Sequence, residues 1–176
     1  RAQAQRAAGK DPFNDKTDPG IGKYGKGGAG MVARRVSEDD VKSIMREPST
    51  MIASDSSVRD FGVGNPHPRG YGNNARVLGH YVREEKLIAL EDAIRKMTSL
   101  PAQTFALNDR GLIREGFAAD LVIFDDAKIT DLATYDKPHQ YAEGFSDVIV
   151  NGEIVFDGST MTGKMSGQAL YGPGRQ

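Results

Sequence analysis

The sequence predicts a mixed α/β fold in which a run of helices precedes a small β unit. Apolar residues recur at helical spacing over residues 75–97. Two β-rich arms flank Asn151-Gly152, a pair that favours a tight type I′ turn. A third apolar run, residues 121–124, is bounded by an aspartate on each side. The 176 residues suffice for one ordinary domain, or for a small domain plus part of a larger one.

Composition excludes several classes of protein. Lysine and arginine total 23 against 24 acidic residues, so the chain has no basic field for nucleic acid or for a membrane surface. No apolar run approaches the ~20 residues that cross a bilayer. Cysteine is absent, which removes disulfides and thiolate ligands and leads us to expect a cytoplasmic protein. Because the chain begins at Arg1 rather than methionine, we expect a fragment or a processed product.

The first 30 residues are rich in glycine, lysine and aspartate, and we predict that they are loosely ordered. One run among them nearly matches a phosphate-binding loop. That loop needs Ser or Thr after its lysine and a buried strand before it. Here Gly27 follows Lys26, and Asp18-Pro19 precedes the run. We therefore reject a nucleotide site and predict a flexible loop at Gly20-Ile21-Gly22-Lys23-Tyr24-Gly25-Lys26-Gly27.

The next elements are a short strand and a helix. Residues 31–36 are predicted as the strand. Ser37 and Asp40, three residues apart, form a capping box that starts a helix running through Met45. Pro48 ends that helix because proline cannot continue it.

A strand and a long loop follow. Residues 51–55 are apolar until Ser54-Asp55 and predict a short buried strand. Residues 56–74 are rich in glycine and proline without periodicity, which predicts a loop of about 19 residues. Compact domains rarely carry so long a loop without a function.

Three helices are predicted next. The first covers residues 75–82, and the third begins with Ser99 and Pro101 in its cap and first turn and ends near Leu107. The helix between them has one apolar face at i, i+3, i+4 and i+7, formed by Leu90, Ala93, Ile94 and Met97.

The pattern changes to β structure after Asn108. Residues 111–116 predict a short strand and turn, residues 120–125 a strand, and residues 148–156 a hairpin around Asn151-Gly152. Residues 164–176 form a tail rich in glycine.

Three stretches of the sequence carry a resemblance to a known family. They are Met51-Ile52-Ala53-Ser54-Asp55; His67-Pro68-Arg69 followed by residues 74–85; and residues 95–102 continuing to Asp109-Arg110-Gly111. Together they resemble the amidohydrolase superfamily, and the third stretch, with residues 116–125, is shared in looser form by many of its members. The second stretch is similar to the N-acyl-D-amino-acid deacylase (D-aminoacylase) family in particular. The resemblance runs from about Ser37 to about Gly163.

This resemblance implies the C-terminal fragment of a metal-dependent (β/α)8 barrel hydrolase plus part of a small β-sandwich. Residues 31–107 would be the last part of the barrel, with its final strand, active-site loop and helices, and residues 108–163 the β-sandwich segment. It implies zinc as cofactor, an N-acyl-D-amino acid as substrate and the missing N-terminal part of the same enzyme as a partner. The family's metal ligands lie upstream, so we expect this fragment alone to be inactive.

Asp55 is the predicted catalytic residue. Amide hydrolysis needs a group that takes a proton from water and returns it to the leaving nitrogen. Such groups lie at the C-terminal ends of barrel strands, and Asp55 ends the predicted strand where the resemblance places a catalytic aspartate. The alternative is an aspartate that turns the chain after a strand.

Arg69 and His67 are the predicted substrate-binding residues, because they lie in the loop directly after that strand. A loop arginine can hold a substrate carboxylate through two parallel hydrogen bonds. The alternatives are a solvated arginine and a histidine packed beside two prolines. His80 and His139 are too far apart in the chain to predict a metal site with His67, and no metal ligand is predicted.

Two rival functions stay open. The β unit is common to amidohydrolases, so another activity, such as hydantoinase-like or dihydroorotase-like hydrolysis of a cyclic amide, is one alternative. The other is a non-catalytic β-rich module left by truncation.

Overall fold

The computed structural model describes residues 36–58 and 60–171, which form helices followed by a three-stranded sheet. The predictions for residues 1–30, including the rejected phosphate-binding loop, and for a strand at 31–36 lie outside this part of the chain or at its edge. The helices are α1 (Glu38–Arg46), α2 (Arg69–Arg76), a π-helix (Val77–Glu84), α3 (Leu90–Met97) and α4 (Ser99–Thr104). The strands are β1 (Leu121–Phe124), β2 (Phe145–Val150) and β3 (Glu153–Phe156).

The capping box predicted for α1 is confirmed. The Asp40 backbone N–H donates to Ser37 Oγ at 3.1 Å, and the Ser37 N–H donates to Asp40 Oδ2 at 3.4 Å. The reciprocal bonds satisfy two amides that a helix start leaves without partners. The helix ends at Arg46, before Pro48, as the sequence indicated.

The loop predicted at residues 56–74 is shorter than expected, because α2 already begins at Arg69. Pro68 occupies the cap of α2 with a helical φ of −52°, and its carbonyl accepts from the Tyr71 N–H at 2.9 Å. The proline ring restricts φ to helical values, so the residue that seemed to extend the loop starts a helix. This start places Arg69 in the first turn.

The helix predicted at residues 75–82 is confirmed, but most of it is a π-helix. Such widened turns are rare and often occur near functional sites. Gly79 lies so close to the β unit that an added Cβ would be 2.6 Å from the Ile129 carbonyl oxygen. Arg83 Nη1 also donates to that oxygen, at 2.6 Å, and to the Asp126 carbonyl at 3.0 Å. The π-helix therefore anchors the β unit to the helices.

Two strand predictions are wrong. Residues 51–55 belong to no helix or strand, no strand among the described residues pairs with them, and most are exposed rather than buried. Residues 111–116 form no strand either: Ile113 is 93% exposed, and both Gly111 and Gly116 have positive φ. The positive φ values place turns at both ends of residues 111–116. Residues 51–55 lack the partner strand that a β ladder requires.

Lys96 holds the segment that leads to Asp55. It is fully buried, and its ammonium donates to the Glu47 carbonyl, to the Thr50 carbonyl at 3.3 Å and to Thr50 Oγ1 at 3.3 Å. The Lys96 carbonyl accepts from the Ile52 N–H at 3.1 Å. One residue of α3 therefore positions both the end of α1 and the start of residues 51–55.

The sheet is antiparallel in the order β1-β2-β3. The predicted hairpin is confirmed, with φ of 49° at Asn151 and 81° at Gly152. Both values lie in the left-handed region that a type I′ turn requires. The β1–β2 connection, residues 125–144, is long and extends back towards the helices.

Helices and β unit share one hydrophobic core. Ile129 from the β1–β2 connection is 1% exposed and packs among the helical core residues. These are Met45, Ala75, Val77, Leu78, Tyr81 and Ala93, with Phe124 and Phe145 packed at the margin. None of the described helices is long and apolar enough to cross a bilayer.

Candidate functional site

The structure brings Asp55 and Arg69 together. Arg69 Nη2 donates to Asp55 Oδ2 at 2.8 Å, across 14 residues of sequence. The Asp55 side chain is 93% exposed and that of Arg69 41% exposed. Ion pairs this open to solvent contribute little to stability. The pair therefore presents a carboxylate and a guanidinium to water rather than supporting the fold.

The backbone of Arg69 is held on two sides. Ser54 Oγ donates to its carbonyl at 2.9 Å, and its own N–H donates to His67 Nδ1 at 3.1 Å. These bonds connect the start of α2 to the segment that carries Asp55. Among the described residues the guanidinium makes no other hydrogen bond, so its remaining donors can bind a ligand.

The surroundings of His67 favour the neutral form of its ring. Burial, and then the nearby charge of Arg69, lower the pKa of His67 below its usual 6.5. Its Nε2 lies 3.1 Å from the Tyr135 hydroxyl, and the two rings pack edge to face at 5.0 Å. Both ring nitrogens thus have partners, so His67 orders the loop around Arg69.

His139 connects the same loop to the β1–β2 connection. The Gly62 N–H donates to its Nδ1 at 3.1 Å, and its Nε2 lies 2.9 Å from the Gly64 carbonyl. The Tyr71 hydroxyl lies 3.0 Å from Nδ1. Phe61 stacks on Tyr141 with ring centres 4.8 Å apart. Residues 61–64 are therefore braced by side chains from far along the chain.

The three residues predicted from the sequence thus lie in one cluster, and Tyr135 and His139 are additions to it. The sequence pattern predicted no site role for His139 or Tyr135. The only available signal was the density of aromatic and histidine residues in an otherwise polar connection. That pattern does not indicate which distant loop they contact.

A second group of side chains with the geometry to hold a metal ion lies elsewhere, where Glu38, His80 and Glu85 place one atom each within 4.8 Å of one another. Lys42 Nζ lies 2.9 Å from Glu85 Oε2, and this hydrogen bond lowers the pKa of Glu85. His80 contacts Glu84 through Nδ1 and Glu85 through Nε2. Lys42 and the His80 ring therefore already contact carboxylate oxygens of this group.

The cluster at Asp55 does not fit a zinc ion by itself. The Asp55 carboxylate faces the Arg69 guanidinium, and the Nδ1 lone pair of His67 accepts a backbone N–H. Zinc in proteins takes at least three such ligands with free lone pairs. The described residues at this site offer fewer.

Comparison with known proteins gives one family. The model of the amidohydrolase family matches residues 3–156. An N-acyl-D-aspartate deacylase of Alcaligenes xylosoxydans xylosoxydans is 42% identical over 142 residues, which are 81% of this chain and 28% of that protein.

Solved structures agree. A crystal structure of a D-aminoacylase that defines a subset of amidohydrolases matches with a TM-score of 0.74 and 34% identity, over 94% of this chain and 33% of the other. The N-acyl-D-glutamate deacylase of Bordetella bronchiseptica, solved with zinc and a phosphonate mimic of the tetrahedral intermediate, matches with a TM-score of 0.63 and 42% identity. That match covers 70% of this chain and 26% of the other. The chain thus spans about a third or less of the length of these relatives.

Proposed function

Because this chain belongs to the amidohydrolase family, we propose that it supplies the C-terminal part of an enzyme that hydrolyses N-acyl-D-amino acids. The products are a carboxylate and a free D-amino acid. The supporting observation is the Asp55–Arg69 pair, an exposed carboxylate in contact with an anion-binding group. The relatives named for N-acyl-D-aspartate and N-acyl-D-glutamate support this class of substrate.

In the proposed architecture, residues 31–107 complete a (β/α)8 barrel and residues 108–163 belong to a β-sandwich. In this proposal residues 51–55 form the final barrel strand only in the whole enzyme, because the partner strands that a ladder requires would come from the remaining protein. Zinc is the proposed metal of the whole enzyme, on ligands from outside the described residues. We expect the 176-residue chain alone to bind less than one equivalent of zinc.

The proposed role of Asp55 is proton transfer. Its carboxylate takes one proton from the attacking water while the water oxygen bonds to the acyl carbon. The C–N bond then breaks, and the same proton passes to the leaving nitrogen. An exposed side chain suits this role because water and substrate must both reach it.

The proposed role of Arg69 is to bind the substrate carboxylate. A guanidinium has five N–H donors, and in Arg69 only Nη2 donates to Asp55. The remaining donors can hold a second carboxylate beside Asp55, which places the scissile amide near the proton acceptor. His67 keeps the Arg69 backbone in place through its hydrogen bond.

The test uses the complete enzyme, in which this chain is joined to the additional part that its relatives contain. Asp55→Asn keeps the shape of the side chain and removes its basicity, so kcat should fall by about 100-fold or more. Asp60→Asn, an exposed acid five residues later, is the matched control and should retain the rate. Arg69→Ala should raise KM, since the carboxylate is bound in ground and transition states alike. Turnover of N-acetyl-D-methionine by Asp55→Asn at the wild-type rate would refute the assignment.

A further inference from the structure

Tyr135 lies in the β1–β2 connection, yet its hydroxyl reaches the loop before α2. It contacts His67 Nε2 at 3.1 Å across 68 residues of sequence, and its ring packs edge to face on the imidazole. The residue is 46% exposed, so one side of the phenol faces solvent. Tyr135 is therefore both fixed by His67 and accessible to a small molecule.

The hydrogen-bond directions follow from the Arg69 backbone. An N–H can only donate, so His67 Nδ1 accepts the Arg69 N–H. A neutral imidazole that accepts at Nδ1 carries its proton on Nε2. That proton points to the Tyr135 oxygen, which must accept it.

This arrangement leaves the hydrogen of the Tyr135 hydroxyl to be donated elsewhere. No acceptor for it is present among residues 36–58 and 60–171. His67 joins Tyr135 to the backbone of Arg69, because it accepts the Arg69 N–H and donates to the Tyr135 oxygen, and the Arg69 side chain carries unused guanidinium donors. A carboxylate has two oxygens and about four lone-pair sites, so it can accept from both residues at once.

We propose that Tyr135 contacts the substrate, donating its hydroxyl hydrogen to the carboxylate that Arg69 binds. The inference rests on the proposed function and adds a specificity determinant to it. His67 then acts as a positioning residue that orients both Arg69 and Tyr135. A phenylalanine would keep the edge-to-face packing on His67 but would lose both the oxygen that accepts the His67 Nε2 proton and the hydrogen that we assign to the ligand.

The experiment compares Tyr135→Phe with Tyr141→Phe in the complete enzyme with its metal. Both changes remove one phenolic oxygen from an exposed tyrosine of the β1–β2 connection. For N-acetyl-D-methionine, Tyr135→Phe should raise KM about tenfold, the effect of one hydrogen bond to a charged group, with kcat changed less than about twofold. Tyr141→Phe should change neither constant. The carboxamide analogue N-acetyl-D-methioninamide should show a smaller difference in KM between wild type and Tyr135→Phe, because its amide oxygen accepts the hydrogen bond without carrying a charge.

Three results would overturn the proposal. An unchanged KM for Tyr135→Phe, with normal turnover by the wild type, refutes the role of Tyr135 and leaves the proposed function intact. A fall in kcat with an unchanged KM would mean that Tyr135 only supports the fold of the site. Absence of turnover by the wild-type enzyme with every N-acyl-D-amino acid would refute the proposed function, and the inference with it.

Discussion

Replacement of Lys96 by methionine should destabilise the protein and displace the segment that carries Asp55. Methionine has a similar length and no charge, so it fills the space without donating. The change removes the donor from the Glu47 carbonyl and from the Thr50 carbonyl and hydroxyl. The hydrogen bond from the Ile52 N–H to the Lys96 carbonyl remains possible, because it is made by the backbone.

The expected loss follows from these contacts. Hydrogen bonds that involve a charged group contribute about 1.5–3 kcal/mol each, and two carbonyls lose such a bond. Removal of a buried charge offsets part of that loss, because its desolvation no longer opposes folding. We therefore expect the free energy of unfolding to fall by about 3 kcal/mol, measured by urea denaturation with the slope of the transition unchanged.

Lys86→Met is the matched control, since Lys86 is exposed and its replacement should cost less than about 0.5 kcal/mol. A loss below about 1 kcal/mol for Lys96→Met, or an equal loss for the control, would refute the view that Lys96 holds residues 47–52 in place. In the complete enzyme, Lys96→Met should also lower kcat while the protein is still folded, because Asp55 follows this segment directly.

Two further predictions concern stability. Gly79→Ala should destabilise the protein by about 1–3 kcal/mol in thermal or urea unfolding, because its Cβ would lie 2.6 Å from the Ile129 carbonyl oxygen, whereas Gly167→Ala, with nothing within 4 Å, should be near neutral. The Asp157 carboxylate accepts hydrogen bonds from the Thr160 N–H and from the Ser159 hydroxyl. These bonds, the first of them most, lower the pKa of Asp157 from 3.8 to about 2. Its contribution to stability should be complete above pH 3.8 and be lost as the pH falls through about 2, and Asp157→Asn should lack this component. A carboxyl NMR titration midpoint near 3.8 for Asp157 would contradict the second prediction.

Local signals predicted the elements whose causes are local. The capping box at Ser37, the apolar face of α3 and the Asn151-Gly152 turn each depend on residues within a few positions of one another. All three appear in the structure as expected. The strands expected at residues 51–55 and 111–116 failed because a ladder needs a partner, which the pattern of one segment cannot supply.

The candidate site shows the same difference between local contacts, which the sequence predicts, and long-range contacts, which it does not. Asp55, Arg69 and His67 were indicated by motifs within 15 residues of sequence, and the structure joins them by hydrogen bonds. Tyr135 and His139 lie far along the chain, in a connection whose path depends on Ile129 packing into the helical core. No spacing in the sequence specifies that return, so their contacts could not be predicted.

Tyr135 and His139 lie late in the chain relative to the loop that they hold, and this order affects how the protein is made. His139 lies 77 residues after Gly62, and Tyr135 lies 68 residues after His67. At about 5–20 residues per second, a ribosome needs on the order of 4 to 15 s to synthesise the interval. During that time the loop lacks the side chains that order it. The loop before α2 should therefore acquire its fixed conformation only after residue 139 has been synthesised.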